Sequence, residues 1–162
     1  MTLPELVHEL AQALTQRGWM MSTAESCTGG LIAATCTDRA GSSAWFDRGV
    51  VTYSNAAKAD MLGVPMALID QHGAVSEPVA RAMAEGILAR SQAQVAVAVT
   101  GVAGPGGGSP DKPVGTVWVA WAVQGQPTVV RGLHLSGDRD AVRRQTVFAS
   151  LQGLLPPALG LV

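Results

Sequence analysis

The sequence predicts an α/β fold, a three-layer α/β/α sandwich around a mixed, largely parallel sheet. Two observations predict it. Segments with helical spacing alternate with short apolar strands through the early chain, and two strands in hairpin order arrive late, before a last helix. Residues 94–100 (QVAVAVT) are also apolar enough for a central strand covered on both faces.

The elements follow in order. Leu3, Leu6, Val7, Leu10, Ala11 and Leu14 repeat at helical spacing, and Gly18 stops the helix. Residues 19–23 read as a short buried strand, and 30–37 as a helix. Residues 39–43 read as a loop, and a second strand covers 49–53. Ser54 or Asn55 caps a short helix through Leu62, and Pro65 opens another that ends near His72 and Gly73. Ser76-Glu77-Pro78 starts a longer helix with a hydroxyl at the cap and proline in the first turn. Its buried stripe is Val79, Met83 and Ile87. After 94–100 comes a glycine-rich loop, 101–108. Residues 114–123 and 128–135 then form a hairpin turning at 124–127. Asp138 caps the last helix, with the stripe Val142, Phe148, Leu151 and Leu155, and the tail from about 156 is expected to fray.

The 162 residues suffice for one domain with a real core, and no repeat or linker divides them, so a single domain over 1–162 is expected. Charged residues make up 14% against 48% hydrophobic, and mean hydropathy is +0.25, which excludes a disordered chain. A net charge of −1 offers no basic field to a nucleic acid, and four Trp, two Phe and one Tyr offer little stacking surface. No apolar run approaches the ~20 residues of a membrane span. The start of the chain lacks the basic and apolar regions of a signal peptide, and a cytoplasmic location is expected. Cys27 and Cys36, nine apart, offer no metal-ligand pattern, so no metal and no cofactor is expected. A chain this apolar has the means to bury a face in a homodimer.

Chemistry is expected in three loops that leave strand ends: 25–30, 53–58 and 100–108. Ligands of open α/β sheets bind outside the carboxyl ends of the strands. If those strands are parallel, the loops share one rim and bring Ser26, Tyr53, Lys58 and Thr100 together. The first loop belongs to Ala24-Glu25-Ser26-Cys27-Thr28-Gly29-Gly30. A hydroxyl on a sharp strand-to-helix turn, followed by glycines that free backbone N–H groups, suits either a nucleophile beside an oxyanion hole or an anion cradle. As a nucleophile Ser26 needs a base. His8 reads as solvated surface, His72 as a helix end and His134 as a strand residue, so no serine–histidine triad is apparent. Lys58 is the alternative, since a desolvated lysine can fall towards ~7–8 and act as a general base. Tyr53 could position or relay that proton. Cys27 is a rival nucleophile, because thiolates form more readily. The glycine loop lacks the Gly-Lys-Ser/Thr of a Walker A motif and opens no helix as a Rossmann fingerprint would. It suits a backbone nest for a phosphate. Arg139, Arg143 and Arg144 could add charge-assisted bonds.

The blocks AESCTGG, GSSAWFDRGVVTYSNAAK, QHGAVSEPVA, VAVTGVAGPGGG, KPVGTVW and GDRDAVRRQ occur in order from about residue 5 to 152 and resemble the CinA C-terminal domain family. Characterised members hydrolyse the carboxamide of nicotinamide mononucleotide, and the resemblance implies that activity, in pyridine nucleotide salvage. It implies Ser26 as nucleophile with Lys58 and Tyr53 as activating partners; the acyl transfer these residues support would hold its oxyanion on the backbone N–H groups of Cys27, Thr28, Gly29 and Gly30. It further implies substrate contacts at Glu25, Thr100, Gly101, Gly104, Gly107 and one arginine, Arg139 being the choice. The sequence departs from a common form of the family loop at Gly106, where an acidic residue often stands. The family often carries this domain behind a larger one, and this chain resembles the stand-alone form. A competing reading is a non-catalytic nucleotide-binding module tied to competence or damage response, which would need the loop but no nucleophile and base.

Overall fold

The computed structural model describes residues 1–162. Helix α1 (Leu3–Arg17) opens on a capping box. Glu5 N–H donates to Thr2 Oγ1 while Thr2 N–H donates to Glu5 Oε2, and Gly18 closes the helix at φ +64°. Strand β1 spans Met21–Glu25, two residues beyond the expected strand. Trp19 N–H goes back to Leu14 C=O and Met20 N–H to the Gln94 side chain, so strand pairing begins only at Met21. It then runs through Glu25, because both neighbouring strands pair with that residue.

Helix α2 is Leu31–Thr37, with Gly30 as its cap rather than its first residue. Strand β2 is Phe46–Val51, earlier than the expected 49–53, and Tyr53 lies outside it. The strand sits at the sheet edge with most of its residues partly or fully exposed, so no apolar pattern marks its start. Helices α3 (Asn55–Leu62), α4 (Met66–His72) and α5 (Glu77–Ala89) follow. Ser76 stands at the cap of α5, but its hydroxyl donates to Gly73 C=O instead of capping. Strands β3 (Val95–Gly101), β4 (Thr116–Val123) and β5 (Val129–His134) precede α6 (Arg139–Ala158).

The expected fraying from residue 156 is corrected by α6, which continues through Pro156 and Pro157. Leu154, Pro157 and Ala158 are buried, and Arg17 donates to Pro157 C=O. Packing against α1 thus outweighs the hydrogen bonds the prolines remove.

The sheet order is β2-β1-β3-β4-β5. β1 runs parallel to both its neighbours, whereas β3–β4 and β4–β5 are antiparallel. Alternation along β3 divides two cores. Val95, Val97 and Val99 join the cluster of α1, α2 and α6, while Ala96 and Ala98, with Ala120 and Ala122 of β4, face α5. No helix is long and apolar enough to cross a membrane. The parallel strands β1, β2 and β3 end on one rim, and the β4–β5 turn, residues 124–128, lies at the other.

Candidate active site

On the shared rim β1 delivers Ser26, β2 delivers Tyr53 and the start of α3, and β3 delivers Thr100 and the glycine loop. The antiparallel return through β4 and β5 then brings the first turn of α6, with Arg139, to the same rim. These segments enclose a pocket of about 290 Å³ whose wall includes Ser26, Cys27, Tyr53, Lys58, Thr100 and Arg139. A larger surface hollow of about 590 Å³, between α1 and the end of α2, lies away from the strand ends and contains no pairing of a nucleophile with a base.

The turn that carries Ser26 is fixed from inside. Glu25, 1% exposed, accepts from Thr28 Oγ1 (2.6 Å) and Ile32 N–H (2.8 Å) at Oε1, and from Ala33 N–H (3.0 Å) at Oε2. The last residue of β1 thus satisfies the first amides of α2, where a negative charge also favours the helix dipole. Ser26 N–H donates to Val99 C=O, and Gly29 N–H returns to Ser26 C=O at 3.0 Å. Gly29 (φ +58°) and Gly30 (φ +103°) adopt left-handed backbone that other residues resist.

Lys58 is 1% exposed. Ser54 caps α3 by accepting from Ala57 N–H, and one turn on, Lys58 points inward. Its Nζ lies 3.0 Å from Ser26 Oγ and donates to Thr52 C=O at 2.8 Å. Burial lowers its pKa from the ordinary lysine value. No carboxylate touches the ammonium, so its neutral form is the favoured one as pH rises. Cys27, next to Ser26, is buried, and loss of solvent pushes its thiol up to about 11. It is therefore a poor thiolate.

Several expected contacts are corrected. Both Glu25 oxygens are taken by Thr28 and α2, so the side chain faces protein rather than substrate. Gly29 cannot serve an oxyanion, because its N–H is held within the turn, and neither Thr28 nor Gly30 borders the pocket. Of the four proposed backbone donors, Cys27 is the one on the pocket wall, and its N–H is given to no other backbone acceptor. Tyr53 is 62% exposed and hydrogen-bonds to Arg139 Nη2 at 3.2 Å, not to Ser26 or Lys58. The lysine meets the serine directly, with no tyrosine between them.

The three arginines separate. Arg139 borders the pocket and donates to Gly104 C=O at 2.8 Å. Arg143, one turn on, donates to Thr28 C=O at 2.9 Å, behind the serine turn. Arg144 pairs with Asp140 in solvent. Thr100 is buried on the pocket wall and donates to Ala74 C=O. Gly101 and Gly104 are required by close approaches, since a Cβ would meet Val117 at 2.7 Å and Val114 at 2.5 Å respectively. Gly107 (φ +85°) needs left-handed backbone, and Gly106 faces open space. The N–H groups of Ala103, Gly104, Gly106, Gly107 and Gly108 are given to no acceptor within the chain, as an anion nest requires.

Sequence reasoning missed Asn55, Ala74 and Val75 on the pocket wall and the Thr52 carbonyl on Lys58. Asn55 was readable, since it precedes Lys58 by three residues and shares its helix face. The other three lie in loops, where no helical or strand spacing marks them.

The profile of the CinA C-terminal domain matches residues 4–156. The chain is 55% identical over 153 residues to a protein named nicotinamide-nucleotide amidohydrolase PncC from Enterobacter agglomerans, covering 94% of this chain and 93% of that one. Its likeness to the protein of the same name from Escherichia coli K12 is 55% over 152 residues, 94% and 92% of the two chains. The crystal structure of competence/damage inducible protein CihA from Agrobacterium tumefaciens superimposes with a TM-score of 0.93 at 48% identity, over 94% of this chain and 93% of that one.

Proposed function

The chain belongs to the CinA C-terminal domain family, and on that premise we propose that it hydrolyses the carboxamide of nicotinamide mononucleotide to nicotinate mononucleotide and ammonia, in pyridine nucleotide salvage. The observation that carries the reading is the buried Lys58 Nζ at 3.0 Å from Ser26 Oγ. A nucleotide-binding module would gain nothing from desolvating a cation against a serine, whereas a serine amidase needs a base there.

The chemistry follows from the contacts. In neutral Lys58 an N–H remains on Thr52 C=O, which turns the lone pair towards Ser26. The lysine takes the hydroxyl proton as Ser26 Oγ attacks the carboxamide carbon. Negative charge that forms on the amide oxygen is held by backbone N–H, with Cys27 the donor on the pocket wall, a contribution of roughly 2.7–4 kcal/mol per donor in comparable sites. The C–N bond breaks as the Lys58 ammonium protonates the leaving nitrogen, and ammonia departs. Water then attacks the acyl-serine, giving its proton to Lys58, which returns one to Ser26 Oγ. Arg139 and the open amides of the glycine loop meet the phosphate, with Thr100, Gly101, Gly104 and Gly107 along the wall beneath it. Tyr53, held by Arg139, borders the mouth and positions substrate rather than protons.

Ammonia release from nicotinamide mononucleotide by the wild type and by Ser26→Ala, with a chelator present, tests the reading. Turnover that vanishes in the variant is expected. No turnover by the wild type, with the nucleotide still bound, would replace the amidase by a binding module.

A further inference from the structure

Behind the serine turn runs a chain of hydrogen bonds that passes through peptide units only. Arg143 Nη2 donates to Thr28 C=O at 2.9 Å. The N–H of that same peptide unit, on Gly29, donates to Ser26 C=O at 3.0 Å. The N–H of the next unit belongs to Cys27, which lines the pocket and has no other backbone acceptor. A cation, two polarisable amides and an open N–H thus stand in series. Each bond draws electron density towards the guanidinium, which leaves the last N–H more acidic than an isolated amide.

Arg143 is otherwise hard to explain. It sits on α6, 115 residues along the chain from Thr28 and outside the pocket wall. Its Nε is buried without a partner, a cost that a surface arginine would avoid by turning outward. No carboxylate neutralises it, since the ion pairs of α6 use Arg144 and Asp140. The guanidinium is therefore held, charged and unpaired, against the one carbonyl that communicates with the Cys27 N–H.

We propose that Arg143 is a positioning residue for the hydrolysis, acting through the Thr28–Gly29 and Ser26–Cys27 peptides to strengthen the Cys27 N–H as the oxyanion donor. This rests on the amidase reading above. Because the amide oxygen carries full charge only in the tetrahedral state, the effect falls on the transition state and not on the bound substrate.

The test compares kcat and KM for nicotinamide mononucleotide in the wild type, Arg143→Lys and Arg143→Gln, with Ser26→Ala alongside and thermal melting of each variant. Outright removal of an oxyanion donor lowers rates by about 10²–10³, so weakening one by loss of the charge is expected to lower kcat about tenfold in Arg143→Gln at unchanged KM. Arg143→Lys, which keeps the charge, is expected to lie between. Equal kcat in all three, a loss confined to KM, or an equally deep loss in both folded variants would overturn the proposal. Should Arg143→Gln fail to fold, Arg143→Met takes its place as the uncharged variant. A lower kcat at constant KM upholds the proposal, and wild-type kcat overturns it. Activity surviving in Ser26→Ala would instead refute the amidase reading on which it rests.

Discussion

Arg139 Nη2 and Tyr53 Oη are hydrogen-bonded at 3.2 Å across 86 residues of sequence, so the tyrosine is tied to the arginine at the pocket mouth and not to the serine. Tyr53→Phe is therefore expected to change kcat by no more than about tenfold, as befits an exposed hydrogen bond worth about 0.5–1.5 kcal/mol. Arg139→Gln is expected to raise KM for the mononucleotide at least tenfold while leaving turnover of the phosphate-free riboside nearly unchanged. Steady-state kinetics on both substrates check this. A loss of kcat beyond a hundredfold in Tyr53→Phe would restore the tyrosine to the proton path.

On the proposed mechanism, Lys58 links activity and stability through one proton. Burial holds its pKa below the ordinary 10.5, so kcat/KM is expected to rise with pH along a limb whose midpoint lies below that value. In the window between the folded and unfolded pKa values the unfolded chain binds more protons, so stability rises with pH there, and the buried cation's penalty is complete below it. Above about pH 9 the thiols of Cys27 and Cys36, pushed up to about 11 and 12, pull the other way. Lys58→Met is expected to abolish turnover, to bind nucleotide normally and to lose the rising stability slope. Urea midpoints for both proteins, taken upward from neutral pH towards the ordinary lysine value of 10.5, read the slope, with Lys58→Met carrying the thiols' opposing contribution alone.

In the proposed mechanism Cys27 contributes backbone, not sulfur. With its thiol at about 11, roughly one part in ten thousand is thiolate at pH 7. Cys27→Ala is expected to keep kcat within about threefold, and iodoacetamide at pH 7 is expected to leave the wild type active. Rapid inactivation by the alkylating agent, with label found on Cys27, would contradict both the burial and the assignment.

Glu25 is a structural carboxylate at the hinge of the site. Its removal leaves the Thr28 hydroxyl and the Ile32 and Ala33 amides without their acceptor. Glu25→Ala is expected to lower unfolding free energy by about 3 kcal/mol, from unsatisfied buried donors at ~1–3 kcal/mol each. Denaturant titration measures it. A change below about 1 kcal/mol would mean that water readily replaces the carboxylate.

The meeting of Ser26 with Lys58 was legible because it depends on topology: three strand ends, if parallel, must share a rim. Orientation of side chains within the turn was not. Glu25 and Ser26 are neighbours, yet Glu25 closes the strand and turns to the first amides of α2, while Ser26, just past the strand end, meets the pocket. The arginines show the same limit. Arg139 and Arg143 differ by one helical turn, and only the position of α6 against the rim decides which meets the pocket and which reaches behind the turn. Edge strand β2 carried too little apolar alternation to mark its bounds, and the prolines of the tail concealed a helix end held by contacts with α1.

The reversal of direction at β4 has a practical consequence. It leaves the loop at 124–128 a full strand length from the reacting atoms, with Gln124, Gly125 and Gln126 exposed. Both native thiols are buried. A Gln126→Cys substitution would thus create a lone reactive handle through which the protein could be dye-labelled or tethered to a surface while the catalytic face stays open to solution.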